Sequence, residues 1–232
     1  MKLNIDKIYC CHHPSDALRE RKCKLENFFA SNGVKVEWVE GFSPEESKKW
    51  DRSLLIKAIL EKGPEKCRGN IEASDGFSLK LASLILKHNY CYEDQVKNNY
   101  ENVLILEDDV DLFSNFSEGY FNKCMEEFKE KGLEMLFMGS CCGLHYLPTT
   151  PNQYVYSHES LRTRCAHCYI VNIEASRRLL KHCYKMSDAA DWQLNWMIEE
   201  EKIKNSWAEP SIHQLDYEST LDSADAHHKT SR

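Results

Sequence analysis

Three adjacent acidic residues, Glu107, Asp108 and Asp109, follow the aliphatic stretch VLIL at residues 103–106 and are the strongest candidates for chemistry. Adjacent carboxylates repel one another, and a carboxylate beside a buried apolar segment needs water or a cation. Mg²⁺ and Mn²⁺ suit such hard oxygen ligands, because they take one or two carboxylates and complete the shell with phosphates and water. A solvated acidic turn is the alternative interpretation, but the apolar stretch in front of the carboxylates favours a divalent-metal site.

The strand that precedes the three carboxylates predicts where they lie. VLILE is apolar on both faces, as is LEMLFMG at residues 133–139, and such strands usually lie in the middle of a sheet that helices cover on both sides. In a mostly parallel sheet, the binding crevice lies beyond the carboxyl ends of the strands. The acidic turn is therefore predicted at the crevice, with Glu107 and Asp109 facing one side and Asp108 facing the other.

The rest of the chain alternates between strand and helix patterns, which predicts an α/β three-layer sandwich with a mostly parallel central sheet. Residues 1–221 are predicted to form one domain, and the polar residues 222–232 to form a disordered tail. Further strands are predicted at 5–10, 34–39 and 166–172, and helices at 15–31, 43–61, 77–93, 116–128, 174–186 and from Asp191 onward.

Composition and missing motifs exclude several function classes. The net charge of −7 argues against a non-specific nucleic-acid binder. The string G-x-x-x-x-G-K-[ST] of P-loop ATPases does not occur. No segment approaches the roughly 20 apolar residues that span a bilayer, and the N-terminus lacks the apolar run of a signal peptide. We therefore expect a cytoplasmic protein without a membrane span, whose eleven cysteines are mostly reduced.

Several motifs, in this order, resemble glycosyltransferase family 25, the group of lipopolysaccharide-type sugar transferases and collagen galactosyltransferases. The acidic strand NNYENVLILEDDVDL and the block CAHCYIVNIEASRRLL carry the strongest part of the likeness, which extends to about Ser223. The other matching segments are KIYCCHHPSDALRERKCKL, VEWVEGFSP, LEMLFMGSCC, DWQL and EPSIHQ.

The resemblance implies a GT-A-like fold with a Rossmann-like nucleotide-binding sandwich. It implies a metal-dependent glycosyltransferase that uses Mn²⁺ or Mg²⁺ and moves a sugar, with inversion, from a UDP-linked nucleotide-sugar donor to a hydroxyl of a glycan or glycoprotein acceptor. Asp109 is then expected to bind the metal, with Glu107 assisting directly or through water, and Asp108 is expected to reach the ribose or the donor sugar.

Two residues later in the chain are expected to complete the site. Inverting displacement needs a general base for the acceptor hydroxyl, and the resemblance favours Asp191, with Asp188 as a weaker candidate. The alternative for Asp191 is a helix N-cap. His213 is expected to close the metal shell or touch the diphosphate, and Gln214 is a similar candidate; a purely structural histidine is the alternative.

The C-x-x-C segment and the function each allow a further interpretation. Cys165 and Cys168 have the C-x-x-C spacing of a zinc or redox site, but a strand pattern follows them directly, which favours small core residues. A non-catalytic domain that binds glycans or sugar nucleotides and keeps the fold is the alternative function. Metal-dependent donor turnover distinguishes an enzyme from such a domain.

Overall fold

The computed structural model describes residues 1–43, 79–140, 150–157, 165–183 and 189–215. Within these residues, seven strands form one sheet in the order β2-β1-β3-β6-β4-β7-β5. The strands are β1 Lys7–Cys11, β2 Glu37–Val39, β3 Asn102–Glu107, β4 Met135–Ser140, β5 Val155–Tyr156, β6 Cys168–Asn172 and β7 Asn205–His213. The helices are α1 Arg19–Ser31, α2 Leu79–Asn98, α3 Leu112–Asn115, α4 Glu118–Glu130, α5 Ile173–Leu179 and α6 Ala190–Glu201.

Strands β3 and β4 lie inside the sheet, as their two-sided apolar character predicts. Every residue of β4 is buried, and so is every residue of β3 except Glu107. Strand β6 lies between them and pairs antiparallel with both. Because β6 runs opposite to both neighbours, β3 and β4 run in the same direction and end at the same edge of the sheet.

Three more strands end at that edge. Strands β1 and β2 are parallel to each other, and β1 is parallel to β3. Strand β7 is parallel to β4. The carboxyl ends of β1, β2, β3, β4 and β7 therefore converge, and the acidic turn that follows β3 lies among them, where ligands bind in α/β sheets.

Helices cover both faces of the sheet and confirm the predicted α/β three-layer sandwich. On one face, α1 and α4 bury side chains such as Phe28 and Phe121. On the other face, α2, α5 and α6 bury side chains such as Tyr92, Leu179 and Leu194. The sheet is mixed, because three of its six neighbouring strand pairs are parallel and three are antiparallel.

Local signals explain where several helices begin and end. The Ser117 side chain accepts a hydrogen bond from the Tyr120 amide and caps α4, and Asn172 caps α5 in the same way through the Ala175 amide. Gly33 follows α1 with a φ of 63°, the left-handed conformation that favours glycine after a helix.

The structure changes several predicted boundaries. Helix α2 continues to Asn98, and α5 ends at Leu179 although its pattern extends to residue 186. Strand β7 was not predicted, because its sequence NSWAEPSIH contains a proline and several polar residues; pairing with β4 and β5 overrides that weak propensity. The predicted helix at 43–61 falls almost entirely outside the described residues, and the predicted tail at 222–232 entirely so.

The cysteines partly follow the expectation of reduced thiols. Seven of the described cysteines are free, and five of these lie on strands or on the buried faces of α4 and α2. Cys165 is the exception among the described cysteines, because it is disulfide-bonded. No helix in the described part of the chain is long and apolar enough to cross a membrane.

Candidate functional site

The end of β7 holds the acidic turn in place from one side. The turn begins where the Glu107 amide donates to the His167 carbonyl at 2.9 Å. Past it, the Asp111 amide donates to the His213 carbonyl at 2.9 Å, and the Leu215 amide donates to the Asp109 carbonyl at 2.7 Å. The first of these hydrogen bonds joins the turn to the residue before β6, and the other two fix it against the end of β7, about a hundred residues away in the sequence.

Each of the three carboxylates has a different partner, which answers how adjacent acids coexist here. Glu107 Oε1 lies 3.3 Å from Nε2 of His88 on α2. Asp108 Oδ2 lies 2.6 Å from Nδ1 of His12, just after β1. Asp109 Oδ2 accepts a hydrogen bond of 2.8 Å from Nε2 of Gln214, just after β7.

Asp108 faces inward and is buried. Besides His12, it has Arg21 of α1 as a partner, with Arg21 Nη1 3.3 Å from its other oxygen, Oδ1. Both the His12 and Arg21 side chains are almost fully enclosed. A buried carboxylate that is hydrogen-bonded and paired with a cation, here Arg21, avoids the cost of an unpaired buried charge. The role predicted for Asp108, reaching the ribose or the donor sugar, stays a prediction.

Asp109 differs from its neighbours because one of its oxygens is buried without a hydrogen-bond partner among the described residues. This oxygen is Oδ1, which accepts no hydrogen bond from any of them. Burial, and to a lesser extent the negative charge of Glu107, raise the pKa of Asp109 to about 7, while the Gln214 hydrogen bond opposes the rise. Burial and a neighbouring carboxylate both disfavour the ionised form of such a carboxylate. A bound cation would stabilise it, because it supplies the opposite charge.

The donor set fits a hard divalent cation. The described residues contain no group of three or more His, Cys, Asp or Glu side chains that could hold a metal ion by themselves. Mg²⁺ and Mn²⁺ commonly take only one or two carboxylates and obtain their other ligands from substrate phosphates and water. Asp109 Oδ1 and Glu107 are the oxygens that would hold such an ion here.

His213 ends β7 beside the turn, but its side chain is exposed. The side chain that contacts the Asp109 carboxylate belongs to the next residue, Gln214. Successive side chains of an extended segment point to opposite sides, and Gln214, the similar candidate, is the one that donates to Asp109. The role of His213 in binding metal or diphosphate stays a prediction.

Asp191 lies in the first turn of α6, one residue after the first helical residue. The N-cap of α6 is Ala189, so Asp191 is not the cap residue that the alternative interpretation assumed, although its Oδ1 accepts from the Trp192 amide at 2.9 Å. The neighbouring Ala190 lines a small cavity together with His88, the partner of Glu107. Asp188, the weaker candidate, lies outside the described residues.

Three partners of the turn were not identified from the sequence: His12, Arg21 and His88. His12 and Arg21 reach Asp108 across about ninety residues, and His88 reaches Glu107 from the preceding helix. A signal existed for His88, because a histidine among apolar residues on the inner face of a helix needs a polar partner. No spacing rule identified that partner as Glu107.

The C-x-x-C segment contributes to the site through its histidine. The carbonyl of His167 accepts the Glu107 amide, and its Nε2 lies 3.0 Å from the Ile212 carbonyl of β7. Its imidazole packs directly on Gly139 of β4. Cys168 is a free, buried thiol in β6. His167 therefore connects β4, β7 and the start of the acidic turn.

Comparison with known proteins gives a family. A family model described as glycosyltransferase family 25 (LPS biosynthesis protein) matches residues 16–194, well over half of the chain. No curated protein matches. One matching solved structure is the crystal structure of a glycosyltransferase involved in the glycosylation of the major capsid of PBCV-1; it is 12% identical, with a TM-score of 0.44, over 95% of this chain and 98% of that one. A likeness this distant assigns no activity.

Proposed function

The chain belongs to glycosyltransferase family 25 and is a glycosyltransferase, and we propose that it uses a divalent cation, Mn²⁺ or Mg²⁺, to bind a UDP-linked sugar donor. The acceptor is a hydroxyl group of a glycan or glycoprotein, and the sugar is transferred with inversion. Donor, metal, acceptor class and stereochemistry are all parts of this proposal. The family itself implies only a sugar donor and an acceptor.

The observation that supports the proposal is that the buried Oδ1 of Asp109 has no hydrogen-bond partner within the described ranges. Departure of the sugar leaves negative charge on the nucleoside diphosphate, and a bound divalent cation supplies compensating positive charge there. The side-chain carboxylates of Asp109 and Glu107 both lie at the sheet edge where the strand ends converge. Arg21 compensates the charge of Asp108, and His12 is hydrogen-bonded to its other oxygen, so the negative charge available to a cation belongs to its two neighbours.

The other steps fall to residues around the turn. Gln214 orients the Asp109 carboxylate through Oδ2 and leaves Oδ1 for the ion. Asp191 is proposed to accept the proton of the acceptor hydroxyl as it attacks the sugar on the face opposite the diphosphate. Support comes from the cavity that Ala190 shares with His88, which places the start of α6 near the residue that binds Glu107.

The test combines donor binding with turnover. Thermal unfolding and hydrolysis of UDP-sugars and GDP-sugars are measured in Mn²⁺ and in EDTA, because a donor that binds only the native state raises its melting temperature. We expect stabilisation by a UDP-sugar in Mn²⁺ only. Asp109→Asn should remove this stabilisation and lower turnover by at least about 100-fold, as expected when stabilisation of the leaving group is lost.

Asp111→Asn is the matched control. Asp111 lies two residues after Asp109, and its side chain accepts from the Phe113 amide as the N-cap of α3. Asparagine caps helices about as well as aspartate, so this variant removes a nearby carboxylate without removing the proposed ligand. Equal loss in both variants, or donor binding that is unchanged in EDTA, would contradict the metal-dependent mechanism and favour a domain that only binds.

A further inference from the structure

We propose that His88 is a positioning residue for the acidic turn: its Nε2 holds the Glu107 carboxylate in the orientation that divalent-metal and donor binding require. This inference rests on the proposed function, because it assigns a role toward the same metal. It adds a residue for which no role was predicted, on a helix that was expected only to cover the sheet.

His88 is enclosed and has a partner on each ring nitrogen. It is 5% exposed. Nε2 lies 3.3 Å from Glu107 Oε1, and Nδ1 lies 2.8 Å from the hydroxyl of Tyr169 on β6. The imidazole also stacks on the Tyr169 ring, with centroids 5.8 Å apart and planes 13° from parallel. The orientation of the imidazole is therefore set by the core of the protein.

The hydrogen bonds continue beyond His88. The Tyr169 hydroxyl lies 2.6 Å from the hydroxyl of Tyr92, which is also buried on α2. A chain of hydrogen bonds thus connects two core tyrosines with the first carboxylate of the turn. Buried networks in which each member has a partner hold their side chains in one arrangement.

The direction of the bond to Glu107 follows from chemistry. An ionised carboxylate only accepts hydrogen bonds, so Nε2 of His88 must carry the proton and donate it. Nδ1 can accept from the Tyr169 hydroxyl when His88 is neutral, or donate to it when His88 is charged, and Nε2 donates in both states. The proposed role therefore does not depend on the charge of His88.

The consequence lies at the other oxygen of Glu107. With Oε1 bound by His88, Oε2 has no hydrogen-bond partner among the described residues, and the Glu107 side chain is only partly enclosed. Without His88, the carboxylate can rotate about its side-chain bonds, and a ligand has to fix it again on binding. Partners of metal-binding carboxylates typically affect metal affinity by about 10- to 100-fold.

Three substitutions separate positioning from packing. His88→Leu fills much of the space and removes the donor. His88→Gln keeps an amide N–H that can reach Glu107. Tyr169→Phe leaves His88 and Glu107 in place and removes the hydroxyl that orients the imidazole. If His88→Leu does not fold, the other two variants still test the inference.

The matched control is His182→Gln. Nε2 of His182 lies 2.6 Å from Glu201 Oε1 near the end of α6, another histidine–glutamate pair. The same chemical change there alters a pair that has no contact with the turn. This variant should bind Mn²⁺ and turn over donor like the wild-type chain.

The experiment measures Mn²⁺ affinity in the presence of UDP by titration calorimetry, together with kcat and KM for the donor, and thermal unfolding in EDTA as a folding check. We expect about 10- to 100-fold weaker Mn²⁺ binding in His88→Leu, a smaller loss in Tyr169→Phe and substantial recovery in His88→Gln. The change should appear mainly in metal affinity and donor KM.

Two outcomes would overturn the inference. The first leaves the proposed function intact, and the second overturns it as well. If the wild-type chain binds Mn²⁺ and all His88 and Tyr169 variants bind it equally well, His88 has no positioning role and the proposed function stands. If the wild-type chain binds no Mn²⁺ with UDP present, the metal-dependent function fails, and the role of His88 fails with it.

Discussion

Asp109 shows at the residue scale how position changes the chemistry of a common side chain. Three consecutive acids are placed so that one contacts His88, one contacts His12 and Arg21, and one keeps a buried oxygen without a described partner. The arrangement costs free energy in the absence of a cation, because the unpaired oxygen of Asp109 is both desolvated and next to another negative charge.

That cost predicts how stability depends on pH. The pKa of Asp109 rises from 3.8 to about 7 in the folded protein, mainly through burial. Since the folded state holds this proton more tightly than the unfolded state, the free energy of unfolding falls as pH rises through the window between these values. We expect a contribution on the order of a few kcal/mol to be lost between pH 5 and pH 8 in EDTA.

Urea unfolding of the wild-type chain and of Asp109→Asn at both pH values checks this prediction. The variant cannot ionise at residue 109, so its stability should fall less between pH 5 and pH 8. Mn²⁺ at pH 8 should restore stability to the wild-type chain only. Identical pH profiles for the two proteins would contradict the assigned pKa.

At the scale of elements, the site depends on how β4, β6 and β7 approach one another at the sheet edge. His167 packs on Gly139, donates to the Ile212 carbonyl and accepts the Glu107 amide. The pairing of β4 with β7 shifts register between Phe137 and Gly139, next to this contact. The glycine is required for close packing, because a side chain there would occupy the space of the imidazole.

Gly139→Ala tests this arrangement. An added Cβ would lie 2.5 Å from Nε2 of His167, so the imidazole or the strand must move. Overpacking of this kind costs about 1–3 kcal/mol, and displacement of His167 should also weaken donor binding. Gly119→Ala in α4 is the control, because its Cβ would meet nothing within 4 Å and alanine favours helices. Urea unfolding of both variants shows whether only Gly139→Ala destabilises the protein.

At the scale of the whole molecule, the fold combines residues from distant parts of the chain. The acidic turn follows β3, its partners come from α1, α2 and the residues just after β1 and β7, and the proposed base lies on α6. The two faces of the sheet contribute separately, since α1 supplies one partner of Asp108 and α2 supplies the partner of Glu107. The site therefore forms only when the complete sandwich is assembled.

Asp191→Asn tests whether α6 takes part in the chemistry. If Asp191 accepts the acceptor proton, the variant should lose turnover by about 100- to 10,000-fold, while stabilisation by UDP-sugar and Mn²⁺ remains. Asparagine keeps a side-chain oxygen that can accept from the Trp192 amide, so the start of α6 should be preserved. Transfer to acceptor at the wild-type rate would contradict the role of Asp191 as base, and lost donor binding would place it in the donor site.

The sequence by itself determined the architecture and the place of the acidic turn. Two strands apolar on both faces require helices on both sides of a sheet, and a strand followed directly by three acids puts those acids at a strand end. These inferences depend on local pattern, and the structure confirms them for β3 and β4. The weakly patterned β7 was missed, because its strand conformation comes from pairing with β4 and β5.

Only the tertiary structure decided which partner each carboxylate has. The contacts of Asp108 with His12, of Glu107 with His88 and of Asp109 with Gln214 span 96, 19 and 105 residues. Side-chain partners at such separations depend on strand order and on register. A one-residue shift in register would turn each side chain of a strand to the opposite face of the sheet. The same packing leaves Oδ1 of Asp109 buried, with no hydrogen-bond partner among the described residues. The sequence could not show this, because the desolvation and the electrostatic environment of an atom arise only when distant segments pack together.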